Sequence, residues 1–186
     1  MNITRDRLEK MLNEAFEKAK KGYSKKTNSK RSSDWVEALA EQFRKNSKDN
    51  DIRVFSKGCY ENRSVFKVNE YLYDITVIRT NEVKSVNGHS LEYPEETLWH
   101  VESEFASNNS RESIVDFGKL LMSSAENKLM ILPSGRRIED WAREDLHKIA
   151  CSKNYSTVYF AFVPHPRRWG DKFEKAVTVE KVPGDK

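Results

Sequence analysis

Residues 98–106 read LWHVESEFA and residues 71–79 read YLYDITVIR. Both runs alternate with the period of two that marks β-strands. In the first, Trp99, Val101, Ser103 and Phe105 face one way, and Leu98, His100, Glu102 and Glu104 face the other. In the second, Tyr71, Tyr73, Ile75 and Val77 fall on one side, and Leu72, Asp74, Thr76 and Ile78 on the other. Glu102 and Glu104 then leave one face with Cα atoms roughly 6.5 Å apart. Carboxylates that close repel each other, and burying them without a partner is costly. Asp74 poses the same problem, because aspartate is depleted in strands. If the two strands pair antiparallel, Asp74 lies beside Glu102 and Glu104. Three carboxylates would then supply the hard oxygen ligands that Mg²⁺ or Mn²⁺ takes. A solvent-facing sheet surface on which these acids pair with Lys or Arg fits the spacing as well, and both readings stay open on spacing alone.

The surrounding sequence supplies the rest of a sheet. IRVFSKG (52–58) reads as a short strand, and strand signals run from Ser64 to about Thr80. Asn87–Gly88 marks a tight turn inside a polar excursion from Thr80 to about Glu96. KLMIL (128–132) and TVYFAFV (157–163) are apolar enough to be central strands covered on both faces, and AVTVEKV (176–182) carries a weaker strand signal. Between them, positions 108–110 can cap a helix from about Arg111 to Ser124 with Ile114, Phe117, Leu121 and Ala125 on its buried stripe. A further helix from Ile138 to about Ala150 would bury Trp141, Leu146 and Ile149.

At the other end, Leu8, Met11, Leu12, Ala15, Phe16 and Ala19 form an apolar helical stripe that Gly22 terminates. Residues 22–33 read as a basic loop or linker containing Lys25, Lys26, Lys30 and Arg31. Ser33 or Asp34 is expected to cap a second helix carrying Trp35, Val36, Leu39 and Phe43. This divides the chain into an N-terminal helix with basic linker, 1–33, and a core domain, 34–186. Strands that first meander and then alternate with helices predict an α/β fold with a mixed central sheet flanked by helices.

Composition narrows the class. A length of 186 residues suits one domain. Four Trp, seven Tyr and nine Phe supply the bulky groups that disordered chains lack. No apolar run approaches the ~20 residues that span a bilayer, so no membrane association is expected. The opening MNITRDRLEKMLNEAF has no apolar signal core, which points to a cytoplasmic protein. Cys59 and Cys151 are too few for a disulfide framework or a zinc site. A net charge of +4 permits nucleic-acid binding without demanding it. Lys25, Lys26, Lys30, Arg31, Arg136, Arg137, Arg167 and Arg168 are the candidate phosphate contacts; solvated loops account for each of them equally well. There is no glycine-rich nucleotide loop and no serine nucleophile elbow.

An Asp on one strand, an E-x-E on the next, then a helix and an apolar strand resembles the PD-(D/E)xK, or restriction endonuclease-like, nuclease superfamily. The resemblance covers about Asp34 to Val163. The segment VESEFASNNSRESIVDFGKLLMSSAENKLMIL (101–132) is also similar to uncharacterised bacterial branches of that superfamily, with an ESE-type strand before a DF-x-KLL helix. The resemblance implies a restriction endonuclease-like core, an extra N-terminal helix, and Mg²⁺- or Mn²⁺-dependent hydrolysis of DNA, with double-stranded DNA the expected partner. Asp74 and Glu102 would be the metal-binding acids. Glu104 would stand where most members carry Lys, a departure from the pattern. Glu41, or else Glu37, would be the acid on the first core helix that completes the site. Lys119 on the following helix is the candidate to replace the missing lysine. The family often acts as a homodimer, and an inactive relative that binds nucleic acid or a protein is the alternative.

Overall fold

A computed structural model describes residues 1–105, 110–152, 157–173 and 176–182. Six strands form one mixed sheet in the order β1-β2-β3-β4-β5-β6: β1 (Ile52–Phe55), β2 (Ile75–Lys84), β3 (Ser90–Ser103), β4 (Asn127–Pro133), β5 (Thr157–Val163) and β6 (Thr178–Val182). β1, β2 and β3 are antiparallel neighbours, β3, β4 and β5 run parallel, and β6 returns antiparallel to β5.

One face is covered by a pair of helices. Helix α1 (Arg5–Ala19) begins at Thr4, whose hydroxyl accepts from the Arg7 amide, and its stripe of Leu8, Met11, Leu12, Ala15, Phe16 and Ala19 is fully buried. Helix α2 (Asn28–Asn46) begins inside the stretch expected to be linker. Thr27, and neither Ser33 nor Asp34, is its cap, accepting from the Lys30 amide. Both helices share one core with Val77, Trp99, Val101, Leu129, Ile131, Tyr159 and Val179 of the sheet. The apolar stripe of α1 is therefore spent inside the molecule and gives no argument for a dimer.

After β1 comes a single helical turn, α3 (Arg63–Phe66). The other face carries α4 (Ser110–Met122) and a continuous helical stretch made of α5 (Arg136–Trp141), a π-turn (Ala142–Leu146) and α6 (His147–Cys151). These pack on Met130, Leu132, Phe160 and Phe162. Of the cap expected at 108–110, Asn108 and Asn109 lie outside the described residues.

Four local expectations need correction. The strand expected from Ser64 starts only at Ile75, because 63–66 turn into a helix and 71–74 approach the sheet as a bend. The excursion from Thr80 to Glu96 is itself β-ribbon, closed by the expected turn at Ser85–His89. Leu98 is not on the face of Glu102: Val77 pairs with Trp99 and Ile78 with Thr97, so Leu98 is the extra residue of a bulge and joins the core beneath α1 and α2. Both covering helices are rotated from their expected stripes. Helix α4 buries Ser113, Phe117 and Leu120 while Ile114 is exposed, and the π-turn shifts the following stripe to Ala142, Leu146 and Ala150, leaving Ile149 exposed.

Candidate functional site

Asp74 enters at the first residue before β2, and Glu102 sits one residue before the end of β3. Ile75 pairs with Val101, which places Asp74 opposite Glu102 on the sheet face that α4 covers. The Ser103 amide donates to Asp74 Oδ2 at 2.9 Å. The Ser103 hydroxyl in turn accepts from the Trp35 indole at 3.1 Å, so α2 is tied to the same point through the sheet.

Helix α4 brings a lysine and a further acid. Lys119 Nζ lies 2.6 Å from Glu102 Oε1 and 2.8 Å from Asp116 Oδ1. Asp116 and Lys119 are three residues apart, one turn of the same helical face. The rotation of α4 that buries Ser113 and exposes Ile114 is what aims this pair at the sheet. Glu104 lies past the end of β3, partly exposed, and its amide donates to the Ile131 carbonyl. Its charge is felt at Asp74. The site is thus Asp74, Glu102, Asp116 and Lys119, with Glu104 at its margin. Asp116 is not among the residues expected from the sequence, although D-x-x-K in a helix is a legible pairing signal.

The acids are held against their preference. Burial, then the charge of Asp116, pushes the Asp74 carboxyl up to about 6 even though the Ser103 amide opposes this. Burial, with the charges of Asp74 and Asp116, raises Glu102 to about 7 despite its bond to Lys119. The Glu102 side chain is 4% exposed, so water cannot relieve it. Lys119 moves up from its ordinary value because its bonds to Asp116 and Glu102 outweigh its partial burial. One ammonium faces three carboxylates, and the cluster remains net negative. Among the described residues, no three His, Cys, Asp or Glu side chains are grouped so that they could together hold a metal ion. Even so, two buried oxygen donors ionising near neutrality suit a hard divalent cation.

Glu41 does not join this cluster. It pairs with Lys18 of α1 and Lys45, which hold its carboxyl down to about 2. Glu37 accepts from the Gly58 amide at 2.7 Å and the Ser56 hydroxyl at 2.9 Å, clamping the turn after β1. That carboxylate leaves no room for a side chain at Gly58, where a Cβ would come within 2.6 Å of Glu37.

The basic residues fall into two groups. Lys26 and Lys30 both pair with Asp34, and Lys25 is exposed beside them. Arg31 donates to the carbonyls of Tyr23 and Pro166, tethering α2 to the turn after β5. Arg136, Arg137, Arg167 and Arg168 converge, with Ser134, Gly135 and His165, around one cleft of about 370 Å³ at the ends of β4 and β5. Arg137 and Arg167 have no ion pair among the described residues. Because β3, β4 and β5 are parallel, this cleft lies at the same, C-terminal end of the sheet's parallel strands as Glu102. At the cleft, the His165 ring meets Phe105, just past β3, edge-to-face.

His100, two residues before Glu102, is buried under the Tyr73 ring, with centroids 3.7 Å apart. The Tyr73 hydroxyl donates to the Lys119 carbonyl at 3.1 Å. Burial, and the charge of neighbouring Lys128, lowers His100 to about 4 and keeps it neutral at pH 7. No helix among the described residues is long and apolar enough to cross a membrane. No protein-family model, curated protein or solved structure matches the chain.

Proposed function

We propose that this chain is a divalent-metal-dependent DNA endonuclease with a restriction endonuclease-like core. The observation that carries the reading is the meeting of Asp74, Glu102 and Lys119 where β2 begins and β3 ends, with both carboxyls raised toward neutrality. Asp74 and Glu102 would hold Mg²⁺ or Mn²⁺, with Glu104 in reach as a further oxygen donor. A bound ion would activate water and stabilise the charge that builds on phosphorus. Lys119 supplies the positive charge that Glu104 does not, and Asp116 positions it. Tyr73, bonded to the Lys119 carbonyl, fixes the helix end from which Lys119 projects. The arginine cleft at the same end of the parallel strands holds the backbone of the nucleic acid.

Incubation of the protein with plasmid and Mg²⁺ or Mn²⁺ tests this. Cleavage is expected for the parent and not for Glu102→Ala or Asp74→Ala; equal behaviour of all three refutes it. The ion pair already made by Lys119 favours a second reading, a nucleic-acid-binding relative without chemistry. That protein would show no metal-induced rise in melting temperature, whereas a ligand that binds the folded state stabilises it.

A further inference from the structure

A second concavity adjoins the acidic cluster on the side away from the arginines. It holds about 360 Å³ between Tyr71, Leu72, Tyr73, Thr76, His100 and the end of α4, which is at the small end of the roughly 300–1,000 Å³ of ligand cavities. Its walls are aromatic and aliphatic. Tyr71 is braced by Phe55, ring centroids 4.7 Å apart, and Tyr73 by His100. Its floor is polar. Thr76 and His100 are direct cross-strand partners, and Lys128 continues the same row on β4.

Thr76 Oγ1 and His100 Nδ1 are both buried and have no hydrogen-bond partner, and the two residues are 3% and 8% exposed. A buried polar atom left unpaired costs about 1–3 kcal/mol, and here two neighbours line one open cavity. A ligand that fits must be flat enough to lie against tyrosine rings and must carry donors and acceptors on its edge. A nucleobase has both properties. The position fits as well. The next row toward the end of β3 is Asp74 and Glu102, so a base seated on Thr76 and His100 puts its own backbone phosphate at the acids.

We propose that this cavity receives an unpaired nucleobase, so that the acidic site acts where a strand is single or a base is extrahelical. A paired base cannot enter, because its edge is engaged and its faces are stacked. The inference rests on the nuclease reading for the class of ligand. It adds the structure of the substrate: single strands, bulges or junctions in place of uninterrupted duplex.

The test measures binding in chelator, without metal, by fluorescence anisotropy. It compares a perfect duplex, the same duplex with one bulged 2-aminopurine, and a free purine nucleoside monophosphate. The bulged duplex is expected to bind about tenfold more tightly than the perfect one, which is about 1.4 kcal/mol and the size of one base–aromatic stack. The 2-aminopurine emission should change on binding. His100→Phe, which removes the ring nitrogens, and Leu72→Glu, at a mouth position 84% exposed and safe for folding, should each erase the preference while leaving perfect-duplex affinity unchanged. Equal affinity for the two duplexes, or a preference that survives Leu72→Glu, overturns the proposal. So does a free nucleotide that binds as tightly as the bulged duplex. Absence of the preference in a protein that cleaves plasmid sinks only the base pocket; a preference in a protein that never cleaves sinks only the nuclease.

Discussion

Replacing Glu102 by Gln turns the electrostatic argument into a stability measurement. The Glu102 carboxyl has moved from its ordinary 4.5 to about 7, so its charged form is disfavoured in the fold by about 3 kcal/mol. That net effect already includes the bond from Lys119. A carboxyl raised in the folded state contributes stability that is complete below its unfolded value. The contribution is lost as pH rises through the folded value. The metal-free parent should therefore lose stability between about pH 4.5 and pH 7, and Asp74, raised to about 6, adds to the same fall. Glu102→Gln cannot ionise. Above pH 7 it should be more stable than the parent by about 3 kcal/mol, or about 6–12 °C in Tm for a chain of this size. Near pH 4.5 the two should coincide. Differential scanning calorimetry across this range in chelator reads both limbs. With Mn²⁺ added, the parent should gain stability at high pH and the variant should not. A Glu102→Gln protein less stable than the parent above pH 7 would show that Glu102 is already satisfied by Lys119, and the case for a cation would fall with it.

Other outcomes follow from the same geometry. Lys119→Ala removes the positive charge between Glu102 and Asp116, so metal-dependent plasmid cleavage should drop to background and the Glu102 carboxyl, which Lys119 holds down, should titrate higher by NMR. Glu41→Ala should leave cleavage unchanged and cost no more than about 1 kcal/mol in urea denaturation, the value of partly exposed ion pairs. Replacing Arg137 and Arg167 by Ala should weaken DNA binding regardless of sequence and lower the slope of log affinity against log salt by about one for each residue. Phe16→Ala, in the buried stripe of α1, should cost about 3–5 kcal/mol, a loss that a dispensable N-terminal appendage would not show in the same denaturation assay.

The strands that carry chemistry were the most legible part of the chain. LWHVESEFA and the latter half of YLYDITVIR announce their alternation, and antiparallel pairing alone brings Asp74 to Glu102. KLMIL and TVYFAFV were equally plain, because strands covered on both faces have no reason to carry polar residues beyond Lys128. What failed depended on partners distant in sequence. Nothing around Glu41 reveals that Lys18, from another helix, will neutralise it. Nothing in the run from Thr97 to Trp99 betrays the extra residue that sends Leu98 to the opposite face. The basic, Ser- and Asn-rich run at 28–33 has the composition of a linker, and only the Thr27 hydroxyl bond to the Lys30 amide shows that α2 starts ahead of it. The two arginine pairs were visible singly. Their convergence needed the knowledge that β4 and β5 are parallel neighbours with their C-terminal ends side by side.

The ribbon at residues 80–94 extends past Arg79, where β1 makes its last pairing, so among the described residues no third strand supports its outer half. Val83, Val86 and Leu91 project from it into water. Its tip closes through bonds local to Ser85, Gly88 and His89. An insertion there lengthens a turn whose ends are already held together, and the entropic penalty for that grows only slowly with added residues. The tip is thus a natural handle for a dye or an affinity tag, remote from the carboxylates at the opposite end of the same two strands.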